Sequence, residues 1–123
     1  MGAQTKQALG QAGEDLAAQV LADNGAEIIA RNWRGRQGEL DIIAFDKGAL
    51  IAVEVKTRSG TAFGTPAAAI SEAKIKRMRK VFGQWMSEHK TELRSSREIR
   101  LDAISILLKP NSSPIIEHIR GIS

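Results

Sequence analysis

The sequence of 123 residues contains no cysteine and no tyrosine. Without cysteine there is no disulfide framework, no thiol nucleophile and no cysteine zinc site. Three Phe and two Trp are the whole aromatic complement, so the core must be aliphatic. No stretch approaches the roughly 18 consecutive apolar residues of a membrane span. The segment from Met1 to Ala8 is polar and lacks the apolar centre of a signal peptide. These absences set the expectation of a soluble, cytoplasmic protein. There is no Gly-rich phosphate loop, no Ser/His/Asp arrangement and no Cys/His metal spacing. His89 and His118 have no partner at ligand spacing, and read as surface or internally satisfied side chains. No small-molecule cofactor is expected.

What is present is an ordinary globular composition: 42% apolar and 26% charged residues leave no case for wholesale disorder. The length suits one domain over residues 1–123. The net charge of +4 favours a polyanionic partner, nucleic acid first.

Hydrophobic spacing predicts a helix from Thr5 to about Asp23, through Leu9, Leu16, Ala17, Val20 and Leu21. Asn24-Gly25 stops it, since both tolerate the left-handed conformation of a helix end. Strands are predicted over Glu27 to Trp33, Glu39 to Phe45 and Ala49 to Thr57. Arg34 to Gly38 is a basic loop between the first two, and Arg58 to Pro66 a Gly/Ser/Thr-rich loop after the third. A second helix is predicted from Pro66 or Ala67 to Lys90, with Ile75, Met78, Phe82 and Trp85 as its apolar stripe. Thr91 to Ser96 reads as a polar connection, Glu98 to Leu108 as a strand and Ile115 to Ile119 as a last short strand. The order α-β-β-β-α-β-β predicts an α/β fold with a mixed central sheet and flanking helices.

The second and third strands carry the chemistry. A two-residue turn at Lys47-Gly48 sets Asp46 opposite Ala49. Continued along the hairpin, that register sets Asp41 opposite Glu54 and Glu39 opposite Lys56. These four then share one face, and Leu40, Ile42, Ala44, Ile51, Val53 and Val55 share the other. Two carboxylates directly opposite each other in an otherwise apolar hairpin are unfavourable. A divalent cation offsets that cost, and hard oxygen ligands suit Mg²⁺ or Mn²⁺. Lys56, two residues from Glu54, points into the same site, where an ammonium orients a water and stabilises charge on a phosphate. Metal plus lysine is what phosphodiester hydrolysis needs. Glu39 reads either as an auxiliary ligand or as the salt-bridge partner of Lys56.

The stretches Gly38-Glu39-Leu40-Asp41-Ile42-Ile43-Ala44 and Val53-Glu54-Val55-Lys56-Thr57-Arg58 resemble the signature of the bacterial YraN-like family. Gly13-Glu14, Arg31-Asn32, Phe63-Gly64-Thr65-Pro66, Lys74 and Leu101-Asp102 look like further family positions, so the resemblance runs along nearly the whole chain. It implies a restriction-endonuclease-like fold, related to Holliday-junction resolvases, with a PD-(D/E)xK nuclease core. In that pattern Asp41 and Glu54 bind metal, Lys56 is the catalytic lysine, and Glu14 completes the metal site. Read from its spacing alone, Glu14 lies at the margin of the helix stripe. It either reaches across the sheet or pairs on the surface with Lys6 or Gln11.

Lys74, Lys76, Arg77, Arg79 and Lys80 place five cations in seven residues with no acid among them. They read as a phosphate-tracking helix face or as a solvated helix surface, and the absence of an interleaved acid favours the first. Arg31, Arg34, Arg36 and Arg58 lie near the ends of the site strands, and read either as grips on a nucleic-acid backbone or as charges that keep the sheet ends soluble. Trp85 sits on the apolar stripe and reads as core. Trp33, between arginines, reads as a packing residue or a base-stacking one. Asp102 reads as support for the site from a neighbouring strand, or as a structural acid satisfied by an arginine.

The expectation is a Mg²⁺-dependent endonuclease acting on DNA, including branched or recombination intermediates. A homodimer would suit a two-strand cut. The alternative is a non-catalytic nucleic-acid-binding module that retains the nuclease fold.

Overall fold

The computed structural model describes residues 5–60 and 70–122. Its elements are α1 (Lys6–Asp23), β1 (Glu27–Gly35), β2 (Gly38–Asp46), β3 (Ala49–Ser59), α2 (Glu72–Glu88), α3 (Lys90–Arg94), β4 (Glu98–Leu108) and β5 (Ile115–Arg120). The five strands form one sheet in chain order, β1-β2-β3-β4-β5. Only β3 and β4 run parallel, and the other neighbours are antiparallel. The mixed α/β architecture predicted from the sequence is therefore present. Among the described residues no helix is long and apolar enough to cross a membrane.

The two sheet faces carry separate cores. On one, α1 lays Ala17 and Leu21 against Ile42, Ala44, Ile51 and Val53. On the other, α2 lays Met78, Val81, Phe82 and Trp85 against Ile43, Leu50, Ala52 and Leu101. Trp85 is core, as its place on the stripe predicts, and stacks on His89 at a centroid distance of 4.1 Å. Trp33 is half-buried and packs against the same cluster.

Local chemistry sets the boundaries. Thr5 caps α1, its hydroxyl accepting from Ala8 N–H at 3.0 Å. Asn24 and Gly25, the latter at φ 96°, end α1. Ser71 caps α2, its hydroxyl accepting from Lys74 N–H at 3.1 Å, so α2 begins at Glu72. A start at Pro66 or Ala67 lies outside the described residues, as does Phe63-Gly64-Thr65-Pro66. His89, at φ −135°, breaks the chain out of α2, and Lys90–Arg94 form a short helix where a polar connection was expected. The turn between β2 and β3 has Lys47 at φ 51° and Gly48 at φ 90°, the paired left-handed geometry of a two-residue hairpin. The predicted register follows from it: Asp46 faces Ala49 and Ile42 faces Val53.

Beyond Ile42–Val53 the hairpin departs from expectation. The β2–β3 ladder stops one pair short of Asp41 and Glu54. From there β2 pairs only with β1, as far as Gly35–Gly38. Leu40 joins the α2-side core rather than sharing the α1-side face of Ile42. The cause lies in β1: Asn32 adopts φ 52° between the Arg31–Ile42 and Trp33–Leu40 pairs. A left-handed residue reverses the pleat, so Trp33 and Leu40 roll together onto the α2 side. The strands thus fork at Asp41, where β2 follows β1 and β3 follows β4.

Candidate functional site

The fork gathers the acids. Asp41 sits at its vertex, and its Oδ2 accepts a hydrogen bond from Val55 N–H at 2.8 Å. The carboxylate thereby satisfies a β3 amide that the ended ladder leaves free. Glu54 alternates with Ala52, so it lies on the α2 side of β3, with 15% of its side chain exposed. Asp41 and Glu54 lie within hydrogen-bonding reach of each other.

Glu14 arrives from α1. Gly13 makes this possible, because a Cβ there would overlap the Thr57 side chain of β3. Glycine costs helix stability, but it lets α1 press onto the strand and carries Glu14 to the edge of the fork. Of the two readings of Glu14 from spacing, the structure shows the inward one. Gln11 bonds to Asp15 instead, at 3.1 Å. Glu14 faces Arg31, whose Nη2 lies 3.6 Å from its Oε1 and bonds Asp15 at 2.7 Å. Glu14 Oε1 is buried and has no hydrogen-bond partner among the described residues.

The electrostatics follow from this crowding. Burial pushes the Glu54 carboxyl up to about 7, repulsion from Asp41 adds to the rise, and Lys74 opposes it. Asp41 is raised, chiefly by burial, against the pull of the Val55 N–H and Lys74. Glu14 is raised by burial and by the charge of Asp41, with Arg31 opposing. The charge of Asp41 thus makes both Glu14 and Glu54 harder to ionise.

Two openings meet at Asp41. On one side an open groove of about 560 Å³ is lined by Lys6, Gly10, Glu14, Asp41, Glu54 and Lys56. Arg58 forms part of its rim, and the Lys56 side chain is exposed within it. On the other side a pocket of about 210 Å³ is lined by Gly38, Glu39, Asp41, Lys74 and Arg77.

The remaining cations divide. Lys74 turns inward, its Nζ 3.4 Å from Glu54 Oε2. Lys76, Arg77, Arg79 and Lys80 are exposed on α2 and make no ion pair among the described residues. Arg34 and Arg36 are exposed at the β1–β2 turn, which Gln84 of α2 holds through the Arg36 N–H at 2.9 Å. Glu39 does not face Lys56: it pairs across the β1–β2 ladder with Arg34, whose Nη2 is 3.1 Å from Glu39 Oε2. The fork is the reason, since it carries Glu39 away from β3.

The family described as "Uncharacterised protein family UPF0102" matches residues 13–106. The chain belongs to this family. A UPF0102 protein of Nocardia farcinica is 47% identical over 117 residues, covering 95% of this chain and 90% of the relative. One from Frankia casuarinae is 45% identical, covering 94% of this chain and 96% of the relative. Another, from Beutenbergia cavernae, is 40% identical, covering 95% and 97%. The family assignment agrees with the YraN-like resemblance of the sequence. The UPF0102 match takes in Glu14, Asp41, Glu54, Lys56 and Lys74.

Asp102 stands apart from the fork. It is fully buried on β4 and bonded on every side: Arg100 Nε at 2.8 Å, Arg100 Nη2 at 3.1 Å, His118 Nε2 at 2.8 Å and Gly121 N–H at 3.0 Å. Burial pushes its carboxyl up, but His118, Arg100 and the Gly121 N–H outweigh that and hold it at about 2. Of its two readings, the structural acid is the one realised. His118 is the partner the sequence did not disclose, because β5 brings it opposite Ile104 from a separate strand.

Proposed function

We propose that this chain is a metal-dependent DNA endonuclease, with a restriction-endonuclease-like core whose site is the fork at Asp41. The observation that carries the proposal is the pair Asp41–Glu54, both raised by burial and Glu54 further by the charge of Asp41, opening onto a groove with Lys56. A protein that needed only stability would not keep two interacting carboxyls half-buried against each other.

The donor set fits a hard divalent cation: carboxylate oxygens only, including the unsatisfied Glu14 Oε1. Among the described residues, no three His, Asp or Glu side chains already converge into a closed metal-holding group. Asp41 and Glu54 would therefore hold the ion, with Glu14 facing it from α1. Bound there, Mg²⁺ or Mn²⁺ supplies an activated water and neutralises phosphate charge. The chain's own residues do the rest. Lys56 lines the groove from the strand that carries Glu54, and would orient the attacking water and take up charge on the phosphate. Arg58 flanks it along the same strand. Lys76, Arg77, Arg79 and Lys80 hold the backbone along α2, and Arg34 and Arg36 extend that surface.

The test is cleavage of labelled duplex, flap, splayed and four-way-junction DNA in Mg²⁺ or Mn²⁺, with Glu54→Ala beside the wild type. Metal-dependent cutting that the variant loses, with binding retained, is the expected result. The exposed cations of α2 favour a second reading, a binding module without catalysis. No cutting, with equal salt-sensitive binding by both proteins, would select it. In either case, replacing Lys76, Arg79 and Lys80 by Gln should flatten the salt dependence of binding by a slope of about 2 to 3.

A further inference from the structure

We infer that Lys74 is the resident counter-cation of the acid pair, so that its ammonium competes with a divalent ion for Glu54 and sets how tightly that ion binds. The inference rests on the site reading above and deepens it. In the sequence Lys74 is the first of five similar cations on one helix. In the structure it is the one whose side chain ends on an acid of the fork. It is only 36% exposed, its Nζ lies 3.4 Å from Glu54 Oε2, and it shares a pocket with Asp41.

Its backbone position is fixed as well. The Ser71 hydroxyl accepts the Lys74 N–H, so the residue occupies the first turn of α2. A lysine there faces the positive end of the helix dipole, where a cation is disfavoured. Helix formation thus gives no reason for a lysine at this position, whereas the two acids do. The ammonium neutralises part of their charge in the metal-free protein. A second cation entering the pair meets that positive charge and must displace it from Glu54. Lys74 then weakens metal binding while keeping the empty site tolerable. A lysine held only as a structural tie would have no such effect, since its removal would loosen Glu54 and lower the affinity.

The experiment is Mn²⁺ titration of the full chain without nucleic acid, followed by paramagnetic resonance of the free ion. It compares the wild type, Lys74→Met, Lys74→Gln, Glu54→Gln and Lys90→Met. The last makes the same change in net charge beyond the far end of α2. Removing a like charge at this range should tighten Mn²⁺ binding about five- to tenfold in both Lys74 variants, with Lys90→Met unchanged and Glu54→Gln at least tenfold weaker. The two neutral replacements keep the comparison available should one fail to fold. Weak binding by Glu54→Gln, with Lys74 variants that bind no more tightly than Lys90→Met, overturns the role of Lys74 and leaves the site reading standing. Unchanged binding by Glu54→Gln overturns both.

Discussion

Glu54→Gln should make the protein more stable, and only above a particular pH. The folded state holds the Glu54 carboxyl at about 7, against an ordinary value of 4.5. A carboxyl with a raised folded pKa has the opposite sign from a salt-bridged one. Below pH 4.5 it is protonated in both states and costs nothing. As pH rises from 4.5 to 7 the unfolded chain releases the proton first, and folding stability falls. Well above pH 7 the loss is complete, at about 3 kcal/mol. Glutamine keeps the size and polarity of the protonated acid but never ionises. The variant should therefore match the wild type near pH 4.5 and exceed it at pH 8, by a melting-temperature difference of roughly 10 °C for a domain of this size. Urea unfolding from pH 4.5 to 8 in a chelator measures it directly. A Glu54→Gln protein less stable than the wild type at pH 8 would refute the reasoning. Glu54 would then be held in place by Lys74 as a stabilising ion pair, and the fork would not be a strained site.

Asp102 behaves in the opposite way. Its folded pKa is depressed from 3.8 to about 2, so its contribution is full above pH 3.8 and is lost as pH falls through about 2. The loss is about 2 kcal/mol. Asp102→Asn should unfold more readily than the wild type at neutral pH and converge with it in acid titrations followed by circular dichroism. Gly13→Ala should lift α1 from β3, costing about 1 to 3 kcal/mol in denaturant melts. Adding Thr57→Ala should recover part of that loss, since it removes two of the three overlapping Thr57 atoms; no recovery would mean that α1 does not bear on β3 at this point.

The hairpin register was legible because a two-residue turn with Gly48 admits few geometries, and the period of the side chains then fixes each pair. It failed beyond Ile42 because Asn32, on a different strand, reverses the pleat of its partner. Asn tolerates a left-handed backbone, but nothing in the sequence of β1 says that this Asn uses it. Glu39 was misplaced for the same reason. The stripe of α2 was readable, since Ile75, Met78, Phe82 and Trp85 recur at helical spacing, and Val81 is buried beside them. The division of its cations was not, because Lys74 differs from Lys76 only in what the fold sets opposite it. Glu14 lay beyond spacing arguments. Its approach depends on the missing side chain of Gly13, and its neighbours come from β1 and β2.

The bond from Val55 N–H to Asp41 gives the two carboxylates of the fork unequal value as probes. Asp41 does a backbone carbonyl's work where β2 leaves β3, so truncating it to alanine strips a half-buried amide of its acceptor as well as removing a charge. A dead Asp41→Ala protein would confound chemistry with architecture, whereas Asp41→Asn keeps an acceptor oxygen for that amide. Among the described residues Glu54 reaches other side chains, Asp41 and Lys74, and can be altered without unpinning the strand that carries it.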